Sequence, residues 1–400
     1  MRFEDFKSGV WRQQYQYKSF LPSPVNLEWS WEDPRLNVLL ENATRALGEL
    51  NAYTRIVPDV DLFIQMHIRK EANTSSRIEG TKTEIEDDVL SAEEVAPEKR
   101  DDWQEVQNYV EAMTTAVKAL EALPLSFRLL RNTHAILLRG GRGESKSPGE
   151  FRTSQNWIGG ASPADAAFVP PVHTDMPDLL TDLEAFWHNP NVQVPHLIRA
   201  AISHYQFETI HPFQDGNGRI GRLMIPLYLI SNKLLDKPSL YLSAHFEKYR
   251  NEYYDALSRV RTSNDMGGWC RFFLQAIIDT ATNGRTTFEK VLTLRTELDT
   301  KVFSLGRRAE NARKLIQHLY AHPAISLTGI EHVLGIKRNP ARELLTGLER
   351  LGVLEEMTGF KRNRVFLFQR YLAIFRDHRV GSQATDRKST RLNSSHGKLS

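Results

Sequence analysis

The sequence is poor in cysteine and has no long apolar run. Its one cysteine, Cys270, excludes an internal disulfide, which is typical of a reducing compartment. No apolar stretch approaches the roughly 20 residues of a membrane-spanning helix. Residues 1–7 lack the apolar segment of a secretory signal. We therefore expect a cytoplasmic protein without a membrane partner.

The net charge is small and has a local source. The formal charge of +3 comes from residues 386–400, where four basic side chains stand against one acidic side chain. The rest of the chain carries 48 basic and 48 acidic side chains, so composition predicts no general attraction to nucleic acid. We expect residues 377–400 to be a disordered tail. Within it, residues 386–396 resemble the translation of a common sequencing adapter, and we interpret them as an artefact.

Residues 211–222, His-Pro-Phe-Gln-Asp-Gly-Asn-Gly-Arg-Ile-Gly-Arg, hold the densest group of polar side chains. An apolar run at residues 223–230 follows at once and predicts a buried helix. Glycines let backbone N–H groups converge on an anion, and a helix N-terminus adds partial positive charge. The stretch therefore predicts a phosphate site.

The side chains of this stretch suit the same chemistry. Arg219 and Arg222 are three residues apart, so one helical face can direct both towards phosphate oxygens. Asp215 can hold magnesium beside a polyphosphate, and His211 can act as a general base. Taken singly, the Asp-Gly-Asn-Gly segment could be an ordinary turn and the histidine beside proline could be structural. Their combination favours a catalytic site.

This stretch resembles the signature of the Fic family, His-x-Phe-x-Asp/Glu-Gly-Asn-Gly-Arg-x-x-Arg, at every fixed position. The resemblance implies transfer of AMP from ATP to a Ser, Thr or Tyr hydroxyl of a target protein, with release of diphosphate. In that chemistry His211 deprotonates the hydroxyl and Asp215 holds Mg²⁺ against the α- and β-phosphates. The residues implied to bind the nucleotide phosphates are Gly216, Asn217, Gly218, Arg219, Gly221 and Arg222.

A second informative stretch is Ser75-Ser-Arg-Ile-Glu79-Gly80. Gly80 predicts a helix C-cap, which leaves Glu79 at a helix C-terminus, where negative charge is unfavourable. Glu79 therefore either has a cationic partner or is simply solvated. The stretch resembles the inhibitory-helix motif of Fic proteins, Ser/Thr-x-x-x-Glu-Gly/Asn. That resemblance implies that Glu79 pairs with Arg222 and withdraws it from the terminal phosphate of the nucleotide.

Apolar periodicity predicts a mainly helical protein. Residues 1–35, rich in aromatics, have no sustained period and predict an extended arm. We interpret His204 as a packed core histidine. The predicted helices span residues 36–50, 59–79, 83–123 (one or two helices), 127–138, 176–190, 195–210, 269–281 (buried) and 286–305 (exposed).

Residues 148–172 form the main non-helical region. Two short extended runs, residues 156–160 and 167–171, flank a polar turn and predict a hairpin. The hairpin resembles the Fic flap, which implies a target protein bound beneath it by strand pairing. A simple surface hairpin is the alternative. Fic relatives also hold adenine with a tyrosine from a matching pair, which implies a nucleobase role for Tyr253 or Tyr254, with Tyr253 preferred.

Residues 310–376 differ in character from the rest. Three predicted helices followed by a hairpin resemble a winged helix, and eleven basic side chains outnumber six acidic ones. Such a module could bind DNA phosphates. It could equally bind a protein or mediate a homodimer. Both alternatives stay open.

The expected architecture is mainly α, with a Fic-type helical core, a hairpin flap and a C-terminal winged helix. Its expected domains are an N-terminal region at 1–110 containing an inhibitory helix (75–80), a catalytic core at 111–305 and a winged helix at 306–376.

Three functional alternatives to AMP transfer stay open. The first is AMP removal, in which Glu79 aligns a water molecule. The second is another nucleotidyl or phosphoryl transfer, although doc-like kinases carry lysine where this chain has Gly216. The third is a DNA-binding regulator that senses nucleotide. The sequence does not identify the target protein.

Overall fold

The computed structural model describes residues 1–140, 143–358 and 364–376. The described part is mainly helical, as predicted, and its strands are few and short. None of its helices combines the length and apolar character needed to cross a membrane. The expected tail at 377–400 lies outside the described residues.

The N-terminal region is more ordered than the predicted extended arm. Strands β1 (Gly9–Gln13) and β2 (Lys18–Pro22) form an antiparallel hairpin in which Trp11 pairs with Phe20. The arm prediction was wrong here because neither strand has the alternating apolar pattern that marks a half-buried strand. Aromatic packing fixes the segment on the helical core, and its buried members are Phe3, Phe6, Phe20 and Trp29.

Two long helices follow the hairpin. Helix α1 (Pro34–Ile56) begins after Asp33, whose carboxylate accepts the backbone N–H of Arg35, as an N-cap residue does. Helix α2 (Val60–Ile78) ends at its C-cap Glu79, and Gly80 then adopts a φ of +106°. Glycine tolerates this conformation at no steric cost, so the helix ends where the sequence predicts.

The central helices α7 and α8 bracket the signature stretch and pack against each other. Every residue of α7 after His196 is buried, in agreement with its apolar sequence. The helices from α3 to α8 are α3 (Ile85–Asp88), α4 (Arg100–Ala119), α5 (Phe127–Leu137), α6 (Met176–His188), α7 (His196–Ile210) and α8 (Asn217–Ser231).

Helices α9 (Ser243–Lys248) and α10 (Arg250–Ser263) lead into α11 (Met266–Lys301), a single helix of 36 residues. The sequence predicted two helices here, and that prediction was wrong. Residues 282–285 are polar and contain a glycine, but none of them is proline, so nothing forces the helix to end. Helix α11 packs along α1 and also contacts α7 and α10.

The C-terminal module packs against α2 and α11. It contains an extra strand and an extra final helix beyond the predicted elements, and its sheet order is β3-β5-β4. Of the predicted basic turn, residues 361–363 lie outside the described residues. The elements of the module are α12 (Ala309–Ala321), β3 (Ala324–Ser326), α13 (Leu327–Leu334), α14 (Arg338–Arg350), β4 (Glu355–Glu356), β5 (Val365–Leu367) and α15 (Gln369–Phe375).

The predicted hairpin at residues 148–172 is reduced to one antiparallel bridge between Ile158 and Phe168. Both backbone hydrogen bonds of the bridge are present, at 2.9 and 3.2 Å. Pairing stops on one side because Pro170 has no N–H to donate. On the other side, the Asp165 carboxylate accepts the N–H of Ala161 at 2.9 Å and so holds a wide turn instead of strands.

Candidate active site

His211 lies at the junction between α7 and the signature loop. It is the C-cap of α7 in a left-handed conformation, with a φ of 53°, and its N–H donates to the carbonyl of Phe207 at 2.9 Å. Such a conformation is uncommon for a residue other than glycine. The chain turns sharply here, so the imidazole stands beside the N-terminus of α8.

Asn217 shapes the loop. Its amide oxygen accepts the Phe213 N–H at 2.8 Å, and its amide nitrogen donates to the Phe213 carbonyl at 2.8 Å. The side chain is buried with both polar ends engaged, so Asn217 could contact a phosphate only through its backbone, and its phosphate-binding role stays a prediction. Asn217 positions the backbone that would contact an anion.

Gly221 also has a packing role, and its predicted phosphate contact stays a prediction. A Cβ atom there would stand 2.2 Å from Oε1 of Glu208 and 3.1 Å from Cδ1 of Phe207, both on α7. A distance of 2.2 Å is far shorter than van der Waals contact. A side chain at this position would therefore displace the buried Glu208 carboxyl.

Gly216 and Gly218 form the anion-facing start of α8. Gly216 is the N-cap with a φ of +75°. A Cβ at Gly218 would stand 2.5 Å from Oε1 of Glu79 and 2.9 Å from Nη1 of Arg222. The Glu79 carboxylate therefore lies at the helix N-terminus, where an anion is most favourably placed.

Arg222 is held by the end of α2. Its Nη2 donates to Oε1 of Glu79 at 2.7 Å and to the carbonyl of Ser75 at 3.0 Å, and its Nε donates to Oγ of Ser75 at 2.8 Å. The Arg222 side chain is 2% exposed, and that of Glu79 is 39% exposed. The structure thus brings together Ser75, Glu79 and Arg222, which the resemblance had associated.

In the Glu79–Arg222 pair, burial and the charge of the partner shift each pKa in opposite directions. Burial acts to lower the pKa of Arg222, but the neighbouring Glu79 carboxylate outweighs it and the pKa is raised. For Glu79, burial acts to raise the pKa, while the charge and hydrogen bond of Arg222 hold it below its usual value. Both groups are therefore ionised at neutral pH, and each is the main counter-ion of the other.

Arg219 is held on the other side of the loop. Its Nη1 donates to Oε2 of Glu105 on α4 at 3.1 Å, and its Nη2 lies 3.6 Å from Oδ1 of Asp215. The Arg219 side chain is 6% exposed, whereas that of Asp215 is 46% exposed. Asp215 therefore presents an accessible carboxylate beside a buried cation.

Burial lowers the pKa of His211 to about 4, so its imidazole is neutral at pH 7. Its Nδ1 lies 3.3 Å from the carbonyl of Glu208. A neutral ring that donates Nδ1–H to this carbonyl leaves Nε2 as a proton acceptor. The ring is therefore oriented as a general base requires.

His134, on α5, packs against the signature loop at Phe213 and Asp215. The sequence analysis did not identify it. Its ring stacks on Phe213 with centroids 3.9 Å apart, and its Nδ1 accepts the N–H of Gly149 at 2.8 Å. Nε2 must then carry the proton that it shares with the carbonyl of Asp215 at 3.0 Å. Its position within an apolar helix gave no signal of this role.

Arg152 and Asn156 tie the region 148–172 to the signature loop. The Arg152 guanidinium, on a residue 4% exposed, donates to the carbonyls of His211 at 3.0 Å and Pro171 at 2.6 Å. Asn156 donates to the carbonyl of Phe213 at 2.8 Å. These partners are distant in sequence, so no local pattern indicated them.

Glu208 is a third residue that the sequence analysis missed. It is 7% exposed, and its Oε1 has no hydrogen-bond partner among the described residues. Burial raises its pKa to about 7, although Arg222 acts in the opposite direction. A carboxylate within the apolar α7, three residues before His211, was a signal that could have found it.

The preference for Tyr253 as the nucleobase residue is corrected. Tyr253 is 1% exposed, its hydroxyl lies 2.9 Å from Nε2 of His204, and its ring stacks on Phe246 with centroids 4.4 Å apart. The Tyr253 ring is therefore packed within the core and has no face available to a nucleobase. His204 packs in the same core, as predicted. Tyr254 is 41% exposed, so it is the member of the pair with a ring available for stacking.

Comparison with protein families matches two regions of the chain. Residues 37–118 match the description "Fic/DOC family N-terminal", and residues 124–229 match "Fic/DOC family". The second region contains the whole signature stretch. The domain boundaries predicted from the sequence stay predictions, since these matches cover only part of each predicted domain.

Curated relatives share part of this chain. "Protein adenylyltransferase Fic" of Aedes aegypti is 34% identical over 125 residues, which are 31% of this chain and 22% of that protein. "Protein adenylyltransferase fic-1" of Caenorhabditis elegans is 30% identical over 132 residues, 33% of this chain and 23% of that protein. The chain thus spans less than a quarter of the length of these relatives.

Solved structures share the fold. A Fic family protein from Desulfovibrio desulfuricans G20 aligns with a TM-score of 0.54 at 21% identity, over 84% of this chain and 96% of that one. A Fic domain containing signaling protein from Bacteroides thetaiotaomicron aligns with a TM-score of 0.51 at 18% identity, over 62% of this chain and 97% of that one. The chain thus contains two regions that match the Fic/DOC family models, and these solved structures share its fold.

Proposed function

We propose that this protein transfers AMP from ATP to a side-chain hydroxyl of a target protein and releases diphosphate. The observation that carries the proposal is the arrangement at the start of α8, where His211 and the buried Arg222 flank an anion position. The curated relatives are named protein adenylyltransferases, which supports the same reaction, and the matched Fic/DOC region at residues 124–229 includes this arrangement.

In the proposed reaction, the target hydroxyl oxygen bonds to the α-phosphorus of ATP while the bond from that phosphorus to the bridging oxygen of diphosphate breaks. The hydroxyl proton passes to Nε2 of His211. Burial keeps this imidazole neutral before reaction, and the negative charge of a bound triphosphate raises its pKa, which favours proton acceptance.

The N-terminus of α8 would hold the phosphates. The backbone N–H of Gly218 belongs to the first turn of α8. Arg219 lies on the same turn and Arg222 on the next. Preorganised donors of this kind offset charge that develops on the transferred group without any reorganisation during the reaction. Tyr254 offers the accessible ring for the adenine.

Asp215 fits a magnesium ion. Its carboxylate is 46% exposed, and magnesium is commonly held by one or two carboxylates together with substrate phosphates and water. The described residues contain no group of three potential protein ligands here, which agrees with an ion that is held largely by the nucleotide. When bound, the ion would supply charge neutralisation between the α- and β-phosphates.

We further propose that Glu79 inhibits this reaction. Its carboxylate lies beside Gly218 and accepts a hydrogen bond from Arg222, so it occupies the anion position itself. A nucleotide phosphate that needs Arg222 must displace this carboxylate. Inhibition ends when the end of α2 moves away.

The deciding experiment supplies ATP labelled in the α-phosphate or in the γ-phosphate to the full chain in the presence of a cell lysate. Glu79→Gly is expected to attach the α-label to protein about tenfold faster than the unmodified chain, which corresponds to about 1.4 kcal/mol. His211→Ala in the same background is the control, and it should attach none. Attachment of the γ-label instead would show phosphoryl transfer and overturn the proposal.

Removal of AMP is a second candidate, favoured by the position of the Glu79 carboxylate near both Arg222 and His211. There it could align a water molecule towards an AMP-modified side chain. The same variant separates the two reactions. If AMP removal is the function, Glu79→Gly should abolish release of AMP from a modified protein and leave α-label attachment undetectable.

We also propose that residues 148–172 bind the target segment and that residues 310–376 form a winged helix. The first rests on the Arg152 and Asn156 anchors beside the loop. The second rests on the order of helices and strands and on the basic excess of the module. A salt-sensitive DNA complex that survives His211→Ala would assign the module to DNA binding.

A further inference from the structure

A second cavity lies away from the signature loop. It has a volume of about 850 Å³ and is enclosed by α2, α9, α11, α15 and the segment that precedes α9. Successive residues of an α-helix are rotated by about 100°, so the α2 residues that line it, such as His67 and Thr74, face a different side of the helix from Ser75 and Glu79. The cavity volume falls within the range typical of small-molecule sites.

The deep wall of this cavity carries unsatisfied polar atoms. Nε2 of His67, Oγ of Ser239 and the hydroxyl of Tyr241 are buried and have no hydrogen-bond partner among the described residues. The three residues are 7%, 3% and 7% exposed. Buried polar groups are nearly always hydrogen-bonded, and leaving one unmet costs about 1–3 kcal/mol. Three such groups on one wall point to a ligand that satisfies them.

These deep groups are uncharged. Burial lowers the pKa of His67 to about 3 and raises that of the Tyr241 hydroxyl well above its usual value. The matching part of a ligand is therefore neutral and rich in hydroxyl or carbonyl groups. A charged group placed there would lose its hydration without gaining a counter-ion.

The rim of the cavity has the opposite character. Cations outnumber carboxylates along its described lining. The cations are Lys70, Arg77, Lys248, Lys290 and Arg376, and the carboxylates are Glu71, Glu247 and Asp279. Lys248, Lys290 and Arg376 are exposed residues. Arg376 also donates to Glu86 at 2.5 Å. An anionic group at the rim would therefore meet positive potential.

We propose that this cavity binds a small organic anion that carries hydroxyl groups, with its neutral part against the deep wall and its phosphate or carboxylate at the rim. A sugar phosphate and a hydroxycarboxylate share this chemistry. The proposal stands apart from AMP transfer, because none of its residues belongs to the signature loop.

The buried single cysteine allows a direct test. Cys270 is 0% exposed, so Thr287→Cys, on the lining, introduces the one accessible thiol among the described residues. Thr296→Cys is the matched control. It lies on the same helix outside the lining, and the hydroxyls of both threonines donate to a carbonyl four residues earlier, at 2.9 and 3.0 Å. The rate of alkylation is measured on the full chain with glucose 6-phosphate or citrate as the probe.

One of the probes is expected to slow alkylation at position 287 about fivefold at a concentration about four times its dissociation constant, and to leave position 296 unchanged. Protection by glucose 6-phosphate alone would identify the ligand class as a sugar phosphate, and protection by citrate alone would identify it as a hydroxycarboxylate. Adding Lys290→Glu should abolish protection, because it reverses one rim charge. Equal alkylation rates with and without both probes at about 10 mM, roughly ten times the usual upper range of metabolite affinities, would overturn the proposal. Protection that survives Lys290→Glu would overturn it as well.

Discussion

At the scale of single residues, Glu208 is a buried carboxyl group close to the candidate active site, and its pKa is raised. Its carboxyl has a pKa of about 7 against a usual 4.5, mainly because of burial. The folded protein therefore keeps this proton over a pH range in which the unfolded chain has lost it. Stability from this group is fully present below about pH 4.5 and declines as the pH rises towards 7.

Glu208→Gln should remove that decline. The free energy of unfolding of the variant, relative to the parent, is expected to rise by about 3 kcal/mol between pH 4.5 and pH 7. Urea unfolding at the two pH values measures this difference. Glu41→Gln, on an exposed part of α1, is the control. A Glu208→Gln profile parallel to that of the parent would contradict the prediction.

Asn217 offers a second test at this scale. Asn217→Ala removes both hydrogen bonds to Phe213 and leaves its buried backbone N–H unpaired, while the Phe213 carbonyl keeps the hydrogen bond from Asn156. We expect the free energy of unfolding to fall by about 2 kcal/mol. Asn232→Ala, at the half-buried C-cap of α8, should cost much less when measured by the same urea titration. Equal losses would show that Asn217 does not hold the loop.

The signature residues could be identified from sequence because their chemistry is concentrated in twelve consecutive positions. Their individual roles could not all be predicted, since Asn217 holds the backbone of the loop at Phe213 and Gly221 packs against Glu208 of α7. His134 and Arg152 were missed for the same reason. Both meet the loop across distances in sequence that no local pattern records.

At the scale of elements, the region 148–172 depends on one buried arginine. Arg152→Lys keeps the charge but replaces a planar fork of donors by a single ammonium. The carbonyls of Pro171 and Ile210 then lose the guanidinium, and that of His211 keeps only the longer hydrogen bond from Asn156. In the Glu79→Gly background we expect α-label attachment to fall about tenfold or more, because His211 is no longer held in place.

The control for this prediction is Arg131→Lys. Arg131 contacts the same region through Gly149 and Glu150, without touching the carbonyl of His211. Circular dichroism should show both variants folded. If Arg131→Lys lowered the rate as much as Arg152→Lys, the loss would reflect the region as a whole and not the anchor at His211.

Helix ends marked by local chemistry were predicted well, as at Gly80. The type of element was predicted wrongly where contacts between residues distant in sequence determine it. The polar stretch within α11 stays helical because α1 packs along it. The expected hairpin is reduced to one bridge because the Asp165 carboxylate accepts a backbone N–H that strand pairing would use and the prolines have no N–H to donate. Propensity is a weak prior against tertiary contacts of this kind.

At the scale of the whole molecule, the C-terminal module is packed directly on the helix that carries Glu79. Phe63 of α2 contacts Tyr320 of α12 edge-on with ring centroids 5.0 Å apart, and His67 contacts Phe375 of α15 at 5.2 Å. Whatever binds the module therefore acts on α2 without an intervening element.

This packing predicts cooperative unfolding. Phe63 is fully buried, and Phe63→Ala should lower the free energy of unfolding by about 4 kcal/mol. Hydrogen exchange in residues 309–376 should accelerate together with exchange in α2. A module that kept its protection while α2 lost it would show that the two unfold separately.

The pairing of α1 with α11 also orders events during synthesis. The last residue of α1 and the first of α11 are 210 positions apart, so at about 5–20 residues per second a ribosome needs roughly 10–40 s to deliver the partner. Throughout that interval the apolar face of α1, with Leu36, Leu47 and Leu50, lacks the helix with which it makes most of its contacts. The nascent chain is thus exposed to aggregation and to chaperones until after residues 211–222 have been synthesised.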